Sequence, residues 1–226
     1  MFLVHEDRTK PAMAQKHETI DKELIGAMRQ NEIGDVSWIT LVTEDFRYMY
    51  ISPLEKMGDL DNNLFAGLSQ KMGQRETDKI FDKYRGTYDE HGDYIIILDK
   101  KLSYQPGGIN TTPVGKNYRH ITVYHFTPEN AGKAEDLAKR FLDLYTKNKS
   151  MLDYRLYRSG FGLMGSSFWV AAAAESPEDF ERLREDNREL LGQEGESLLN
   201  QLSQTVSRVE VIRGYIRPDL GYQPKK

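Results

Sequence analysis

The spacing of apolar residues predicts short strands alternating with amphipathic helices along the chain. A short strand is expected at residues 2–7, and residues 36–43 and 46–51 read as a hairpin joined by Glu44-Asp45. Between the first strand and the hairpin, one helix face is marked by steps of three or four residues: Met13, His17, Ile20, Leu24 and Met28. A glycine-interrupted helical region and a strand at residues 94–98 complete a β-α-β-β-α-β order.

The second half of the chain predicts the same order of elements. Strands are expected at residues 120–126, 152–157, 168–174 and 209–216. A first helix opens after Thr127-Pro128, and a second one opens at Ser176-Pro177, where the serine supplies a capping hydroxyl. The two halves therefore have one pattern.

Short sequence matches support an internal duplication. The segment Leu102-Ser-Tyr-Gln-Pro106 recurs as Leu220-Gly-Tyr-Gln-Pro224, and Ser52-Pro53 matches Ser176-Pro177 as a predicted helix start. The apolar positions of the first helix in each half also match at a constant offset. These matches predict a first unit at residues 1–103, a linker at 104–117 and a second unit at 118–226.

Each predicted unit has the ferredoxin-like order, in which an antiparallel sheet carries both helices on one face. The uncovered sheet faces can bury each other within one chain. We therefore expect an α+β protein made of two tandem ferredoxin-like units that form an intrachain dimeric α+β barrel.

This arrangement resembles the dimeric α+β barrel superfamily, which includes antibiotic-biosynthesis monooxygenases, NIPSNAP-type proteins and chlorite dismutase relatives. The resemblance covers nearly the whole chain at the level of topology. It implies a ligand site between a sheet and its helices or where the barrel closes, and haem binding in some relatives. No catalytic residue follows from it.

Composition excludes several classes of function. The 226 residues are 38% hydrophobic and 11% aromatic, which is enough to bury a core, and the net charge is -4. That charge disfavours nucleic acid and anionic membranes as partners, and no apolar run is long enough to span a bilayer. With no cysteine, thiol catalysis, thiolate metal sites and disulfides are excluded. A cytoplasmic location is the default expectation.

Two motifs favour structural explanations over ligand binding. Gly160-Phe-Gly-Leu-Met-Gly165 matches a dinucleotide fingerprint, but a strand follows where a helix is needed, so a hairpin turn is expected. Asp59-Leu-Asp-Asn-Asn63 begins like a calcium loop and then lacks the required glycine and glutamate.

The pair His17 and Asp21 is expected on the helix surface. Neither a metal site nor a cofactor is predicted.

The strand alternations suggest a pocket. His120, Thr122 and Tyr124 share one strand face, which is predicted to point away from the helices toward the other sheet, and His5 lies on the equivalent face of the first strand. The predicted ligand-binding residues are His5, Trp38, His120, Tyr124 and Arg155. Aromatic side chains would supply contact area, and His5 or His120, titrating near neutrality, would act as acid or base. The alternative is that these residues are ordinary members of a mixed core.

Two classes of function remain open. The first is a small-molecule-binding protein or cofactor-independent enzyme with a pocket formed by the barrel. The second is a non-catalytic structural or protein-interaction module, whose exposed tyrosines would meet a partner. A homodimer is a possible assembly in either case.

Overall fold

The computed structural model describes residues 1–224, and within them the chain forms eight strands and five α-helices. The strands are β1 (Phe2–Thr9), β2 (Ile39–Thr43), β3 (Arg47–Pro53), β4 (Tyr88–Tyr104), β5 (Tyr118–Phe126), β6 (Tyr154–Ser159), β7 (Ser166–Ala174) and β8 (Arg208–Ile216). The helices are α1 (Ala14–Gln30), α2 (Ala66–Met72), α3 (Gln74–Asp82), α4 (Ala131–Asn148) and α5 (Pro177–Thr205). The predicted combination of helices with an antiparallel sheet is confirmed.

Contacts divide the chain into two compact units. Unit one contains Met1–Ile95 and the chain from Ile216 onward, and unit two contains Ile96–Tyr215. In unit one, β3 pairs with both β1 and β2, and in unit two β7 joins β5 to β6, with β8 beside β5 and β4 beside β6. All of these pairings are antiparallel. Within unit one the strand order is β4-β1-β3-β2, and within unit two it is β8-β5-β7-β6-β4, because the long strand β4 has one part in each unit.

The core of unit one forms on the predicted apolar face of α1. Ile20, Leu24 and Met28 are buried there, and Leu68 of α2 and Ile80 of α3 pack in the same cluster. Full burial of each such side chain contributes roughly 1.5–3 kcal/mol relative to exposure. This packing determines which face of α1 points into the core of unit one.

Helix α5 begins as its sequence predicts. Ser176 Oγ accepts a hydrogen bond from the backbone N–H of Asp179 at 3.2 Å, and Pro177 occupies the first turn. The helix is kinked at Gly192, where φ is +51° and ψ is -143°. A residue with a Cβ atom is disfavoured in that conformation, so the glycine permits the kink.

The matching prediction for Ser52-Pro53 is wrong. Both residues belong to β3, where Ser52 lies opposite Leu3 and Pro53 lies opposite Phe2 of β1. The next α-helix begins only at Ala66. Pairing with β1 keeps Ser52 and Pro53 extended, so the local cap signal is overridden by the sheet.

The glycine-rich segment between β6 and β7 is a turn, as expected. Gly162 and Gly165 have φ values of +89° and +78°, and β7 begins at Ser166. Left-handed backbone of this kind is the usual reason for glycine in a tight connection.

The two copies of the Leu-x-Tyr-Gln-Pro motif make similar contacts in different units. In unit one, the Tyr222 hydroxyl donates to the carbonyl of Ile33 at 2.5 Å, just after α1. In unit two, the Tyr104 hydroxyl donates to the carbonyl of Ser150 at 3.0 Å, just after α4. Both tyrosines are buried. Each therefore holds the segment that follows a long helix.

The predicted linker lies largely outside regular structure. Tyr104 still belongs to β4, and residues 105–117 form neither helix nor strand. Arg155 donates to the carbonyl of Asn110 at 2.8 Å, and Arg119 donates to the carbonyl of Thr111 at 3.1 Å. Buried arginines thus tie this connection to unit two.

Candidate functional site

Unit one contains a cavity of about 410 Å³. Its size falls within the range of roughly 300–1,000 Å³ that is usual for ligand pockets. Aromatic rings form most of its apolar wall: Trp38, Tyr50, Phe65, Phe81, Tyr84 and Tyr88. The ionisable groups on the wall are fewer: His5, Asp7, Asp21, His91 and Asp93. An apolar cavity with a few convergent polar groups is typical of a small-molecule site.

The period of the strands explains which side chains reach the cavity. Leu3, His5 and Asp7 alternate along β1 and so lie on one sheet face, and His5 lies opposite Tyr50 of β3. Asp21 and Leu24 reach the same space from α1. The cavity therefore lies between strands and helices of unit one.

A chain of buried hydrogen bonds runs along this wall. His17 Nδ1 lies 2.9 Å from Thr87 Oγ1, and His17 Nε2 lies 2.9 Å from the Tyr50 hydroxyl. The Tyr50 hydroxyl lies 2.9 Å from both carboxylate oxygens of Asp21, and the Tyr84 hydroxyl donates to Asp21 Oδ1 at 2.7 Å. Asp21 is thus linked to His17 through a single phenol.

The hydrogen-bonded groups His17, Tyr50 and Asp21 can share their protons in two arrangements that have the same total number of protons. Thr87 Oγ1 donates to the carbonyl of Tyr84 at 2.8 Å, so it accepts the proton on His17 Nδ1. In one arrangement His17 is cationic and Tyr50 donates to an ionised Asp21. In the other, a protonated Asp21 donates to Tyr50, which donates to neutral His17. A proton can therefore move between the carboxyl and the imidazole without net transfer to solvent.

Burial favours the second arrangement. It raises the pKa of Asp21 to about 7, against the opposing hydrogen bonds from Tyr84 and Tyr50 and with help from the charges of Asp7 and Glu18. Burial also lowers the pKa of His17, although Asp7 and Glu18 oppose that change. At neutral pH the Asp21 carboxyl on the cavity wall is therefore divided between its two protonation states.

A second polar cluster surrounds His5. His5 Nδ1 lies 2.9 Å from Asp93 Oδ1, and His5 Nε2 lies 3.3 Å from Asp7 Oδ1. Burial opposes protonation of His5, but Asp7 and Asp93 outweigh it and raise the pKa to about 9. The His91 ring lies 5.8 Å from the His5 ring. At neutral pH, His5 is a cation in the absence of other ligands and is not a base.

Arg217, in the segment after β8, contacts the part of α1 that carries His17. Arg217 makes two parallel hydrogen bonds to the carboxylate of Glu18, both 2.9 Å long, and the Tyr48 hydroxyl donates to Glu18 at 3.0 Å. Glu18 follows His17 directly on α1. The paired arginine contact therefore fixes the first turns of α1, which carry the buried histidine.

The structure brings only part of the predicted site together. His5 and Trp38 line the cavity, whereas His120, Tyr124 and Arg155 lie in unit two and are absent from its wall. The Arg155 guanidinium instead donates to backbone carbonyls. The predicted grouping of all five residues around this cavity is therefore not what the structure has.

The predicted orientation of the polar strand face is wrong. His120 stacks on Phe180 of α5 with ring centres 4.1 Å apart, and Tyr124 lines a smaller cavity of about 120 Å³ together with Ala134 and Tyr145 of α4. That face therefore points toward the helices. Burial and Arg213 lower the pKa of His120 to about 4, so neither His5 nor His120 titrates near neutrality. Alternation indicated which residues share a face, but not which layer covers it.

The structure buries two residues that were predicted to lie at the surface of α1. His17 and Asp21 were expected at the surface, yet they are 0% and 3% exposed. A signal was present, because His17 lies on the apolar face of α1 with Ile20 and Leu24. A polar residue at such a position has to find a buried partner. Tyr50 and Tyr84 complete the cluster and come from distant segments.

Comparison with solved structures shows that the fold is shared. An anthrone oxidase-like protein is 12% identical, with a TM-score of 0.64 over 100% of this chain and 93% of its own. A proposed monooxygenase from Lactobacillus acidophilus NCFM is 8% identical, with a TM-score of 0.53 over 99% and 95%. A mutant chlorite dismutase from Candidatus Nitrospira defluvii is 11% identical, with a TM-score of 0.51 over 96% and 92%. At these identities the likeness concerns fold alone.

No protein-family model matches the chain, and no curated protein matches it. Among the described residues, no helix combines the length and the hydropathy needed to cross a membrane.

Proposed function

We propose that this protein is a small-molecule enzyme that binds a flat, largely apolar aromatic compound in the cavity of unit one and removes a proton from it. The observation that carries the proposal is a buried carboxyl, Asp21, on the wall of an aromatic cavity of about 410 Å³. The fold is compatible with it, because an anthrone oxidase-like protein and a proposed monooxygenase share this fold.

The shape of the wall favours a planar ligand. Trp38 stacks on Tyr222 at 5.4 Å and meets Phe65 edge-on, while Phe65 meets Phe81 edge-on at 4.9 Å. Packed rings of this kind are held in place and offer flat contact area with little loss of side-chain freedom. A fused-ring compound would bury its faces against them.

The proton-transfer step uses groups already in place. Asp21 in its ionised form accepts a proton from an acidic C–H or O–H of the ligand, and the electron pair of that bond stays on the ligand as an enolate or phenolate. A base with a pKa near the working pH is suited to such a step. The hydrogen-bond chain through Tyr50 to His17 then offers a route for the proton away from the cavity.

The step can be measured without any oxidant. Chelator-treated protein is incubated with anthrone in deuterated buffer under anaerobic conditions, and exchange of the acidic methylene protons is followed by NMR. We expect exchange well above the buffer rate with the wild-type protein and a loss of roughly 100-fold or more in Asp21→Asn, since a general base typically contributes about 10²–10⁴-fold.

Asp136→Asn is the matched control, because this carboxylate is exposed on α4 and lies outside the cavity. Equal exchange by wild type and Asp21→Asn would remove Asp21 as the base. Quenching of tryptophan fluorescence by anthrone that is lost in Trp38→Phe and kept in Trp169→Phe would show binding separately from chemistry.

We also propose that the two halves of the chain are equivalent ferredoxin-like units. Strands of the first half follow the order β4-β1-β3-β2 and those of the second half the order β8-β5-β7-β6, so the fourth, first, third and second strands are neighbours in each. The similar contacts of Tyr104 and Tyr222 add support. The boundaries 1–103 and 118–226 are part of this proposal.

The second candidate is a protein-interaction role, with a second copy of the chain as the partner. Phe161 and Met164, in the turn before β7, are 75% and 96% exposed. Adjacent exposed apolar side chains are typical of contact surfaces. Sedimentation analysis should show a dimer that dissociates in a Phe161→Ser, Met164→Ser variant; a wild-type monomer would remove this candidate.

A further inference from the structure

Three potential metal ligands meet on the wall of the large cavity. His5 and Asp7 come from β1 and His91 comes from β4, and one ligand atom from each lies within 4.8 Å of the others. Ligands on one first-row metal ion at about 2.0–2.2 Å from it lie roughly 3–3.5 Å apart. His91 is exposed, so a small rotation of its side chain can close this difference.

The buried carboxylate in this group has an oxygen that accepts no hydrogen bond. Asp7 is 4% exposed, and its Oδ1 atom accepts no hydrogen bond. Its contact with His5 Nε2 at 3.3 Å is an ion pair that lacks hydrogen-bond geometry. A buried carboxylate oxygen without a hydrogen bond is costly and calls for a specific explanation. A cation bound at Oδ1 provides one.

The ring nitrogen of His5 that would not face the ion has a hydrogen-bond partner, and the second oxygen of Asp7 has a histidine nearby. His5 Nδ1 is held by Asp93 Oδ1 at 2.9 Å, which leaves Nε2 directed at Asp7. The other oxygen of Asp7, Oδ2, lies 3.6 Å from His17 Nε2. Outer contacts of this kind orient histidine and carboxylate ligands in metalloproteins.

We infer that His5, Asp7 and His91 bind one divalent first-row transition-metal ion. Two imidazoles with one carboxylate suit zinc, iron(II), cobalt(II) or manganese(II) better than calcium or magnesium. Three protein ligands would leave coordination positions open, and all three of these residues line the cavity. The expected occupants are water or an oxygen substituent of a bound ligand.

This inference goes beyond the proposed proton transfer and does not depend on it. Metal binding is measured on the protein alone, whereas the exchange experiment is run on chelator-treated protein. Either can fail while the other succeeds.

The test is calorimetric titration of chelator-treated protein with zinc, using protein that carries no histidine tag. We expect one ion per chain and an affinity at least about 100-fold weaker in His91→Ala, since loss of an outer contact alone costs about 10–100-fold. His91 is exposed, so its removal should leave the fold intact. His125→Ala is the matched control because His125 also lies near a carboxylate, Glu210, but in unit two.

Cobalt(II) provides a second readout. Visible absorption bands of the bound ion should appear with wild type and His125→Ala and be lost in His91→Ala and Asp7→Asn, with circular dichroism confirming that both variants are folded. Absence of stoichiometric zinc binding, or equal affinity in wild type and His91→Ala, would overturn the assignment.

Discussion

At the scale of single residues, burial of Asp21 has a cost in stability that depends on pH. Its neighbours are Tyr50, Tyr84, Asp7 and Glu18, and burial together with the two acidic groups opposes its ionisation. The folded pKa of about 7 lies above the ordinary value of 3.8. The folded state therefore binds more protons than the unfolded state between about pH 4 and pH 7, and its stability falls as pH rises through that interval.

The Asp21→Asn variant should lose this dependence. Relative to wild type, its free energy of unfolding should improve steadily from pH 4 to pH 7, by at most about 4 kcal/mol since each pKa unit is worth about 1.4 kcal/mol. Urea unfolding at several pH values measures the difference. If the difference in unfolding free energy between Asp21→Asn and wild type is constant from pH 4 to pH 7, Asp21 is not the titrating group.

His120 should act in the opposite direction. Its pKa of about 4 lies below the ordinary value of 6.5, because burial and Arg213 oppose the charge more than Glu181 favours it. The folded state then binds fewer protons, and stability is lost as pH falls from 6.5 to 4. His120→Phe keeps a ring against Phe180. In the same urea experiments, its free energy of unfolding should fall less than that of wild type between pH 6.5 and pH 4. An equal loss of unfolding free energy in wild type and variant over this pH range would contradict the expectation.

At the scale of elements, the same Ser-Pro sequence begins a helix at one position and lies in a strand at the other. Ser176 caps α5, whereas Ser52 is paired within the sheet. Ser176→Ala should therefore destabilise the protein by about 0.5–2 kcal/mol through loss of the cap. Ser52→Ala removes no helix cap and should cost clearly less. Thermal unfolding of the two variants side by side measures the contrast, and equal losses would argue against it.

The repeated tyrosines allow a paired test of the duplication. Tyr104→Phe and Tyr222→Phe each leave a backbone carbonyl after a helix without its phenol donor, so each should cost about 1–3 kcal/mol. Tyr215→Phe is the control because Tyr215 is 41% exposed. Similar losses for Tyr104 and Tyr222, measured by urea unfolding, would support equivalent roles. A loss at one position alone would weaken the proposal of equivalent halves.

At the scale of the whole molecule, the cavity belongs to one unit only. Its wall is formed by residues from Met1–Ile95 and from the segment after Ile216. A ligand in that cavity should slow amide hydrogen exchange chiefly in those segments, because binding opposes their local opening. Mass-resolved exchange with and without anthrone measures this. Equal protection in Ile96–Tyr215 would place the ligand elsewhere.

The sequence determined the succession of elements and the apolar face of α1. Periods of two and of three to four residues report local backbone geometry, so strands, helices and the turn at Gly160–Gly165 could be predicted from neighbours in the chain. The same alternation placed His5 and Trp38 among the residues predicted to line a pocket, and both line the cavity of unit one. These properties depend on interactions within a few residues.

Only the tertiary structure decided which sheet face the helices cover and which polar groups meet. Tyr50, Tyr84 and Asp21 are separated by 29 to 63 residues, and their hydrogen bonds exist only after strand pairing and helix packing have closed those intervals. The pKa values of Asp21, His5 and His120 follow from the same long-range packing, since burial and neighbouring charges set them. The chemistry of the cavity therefore arises from contacts that no local pattern encodes.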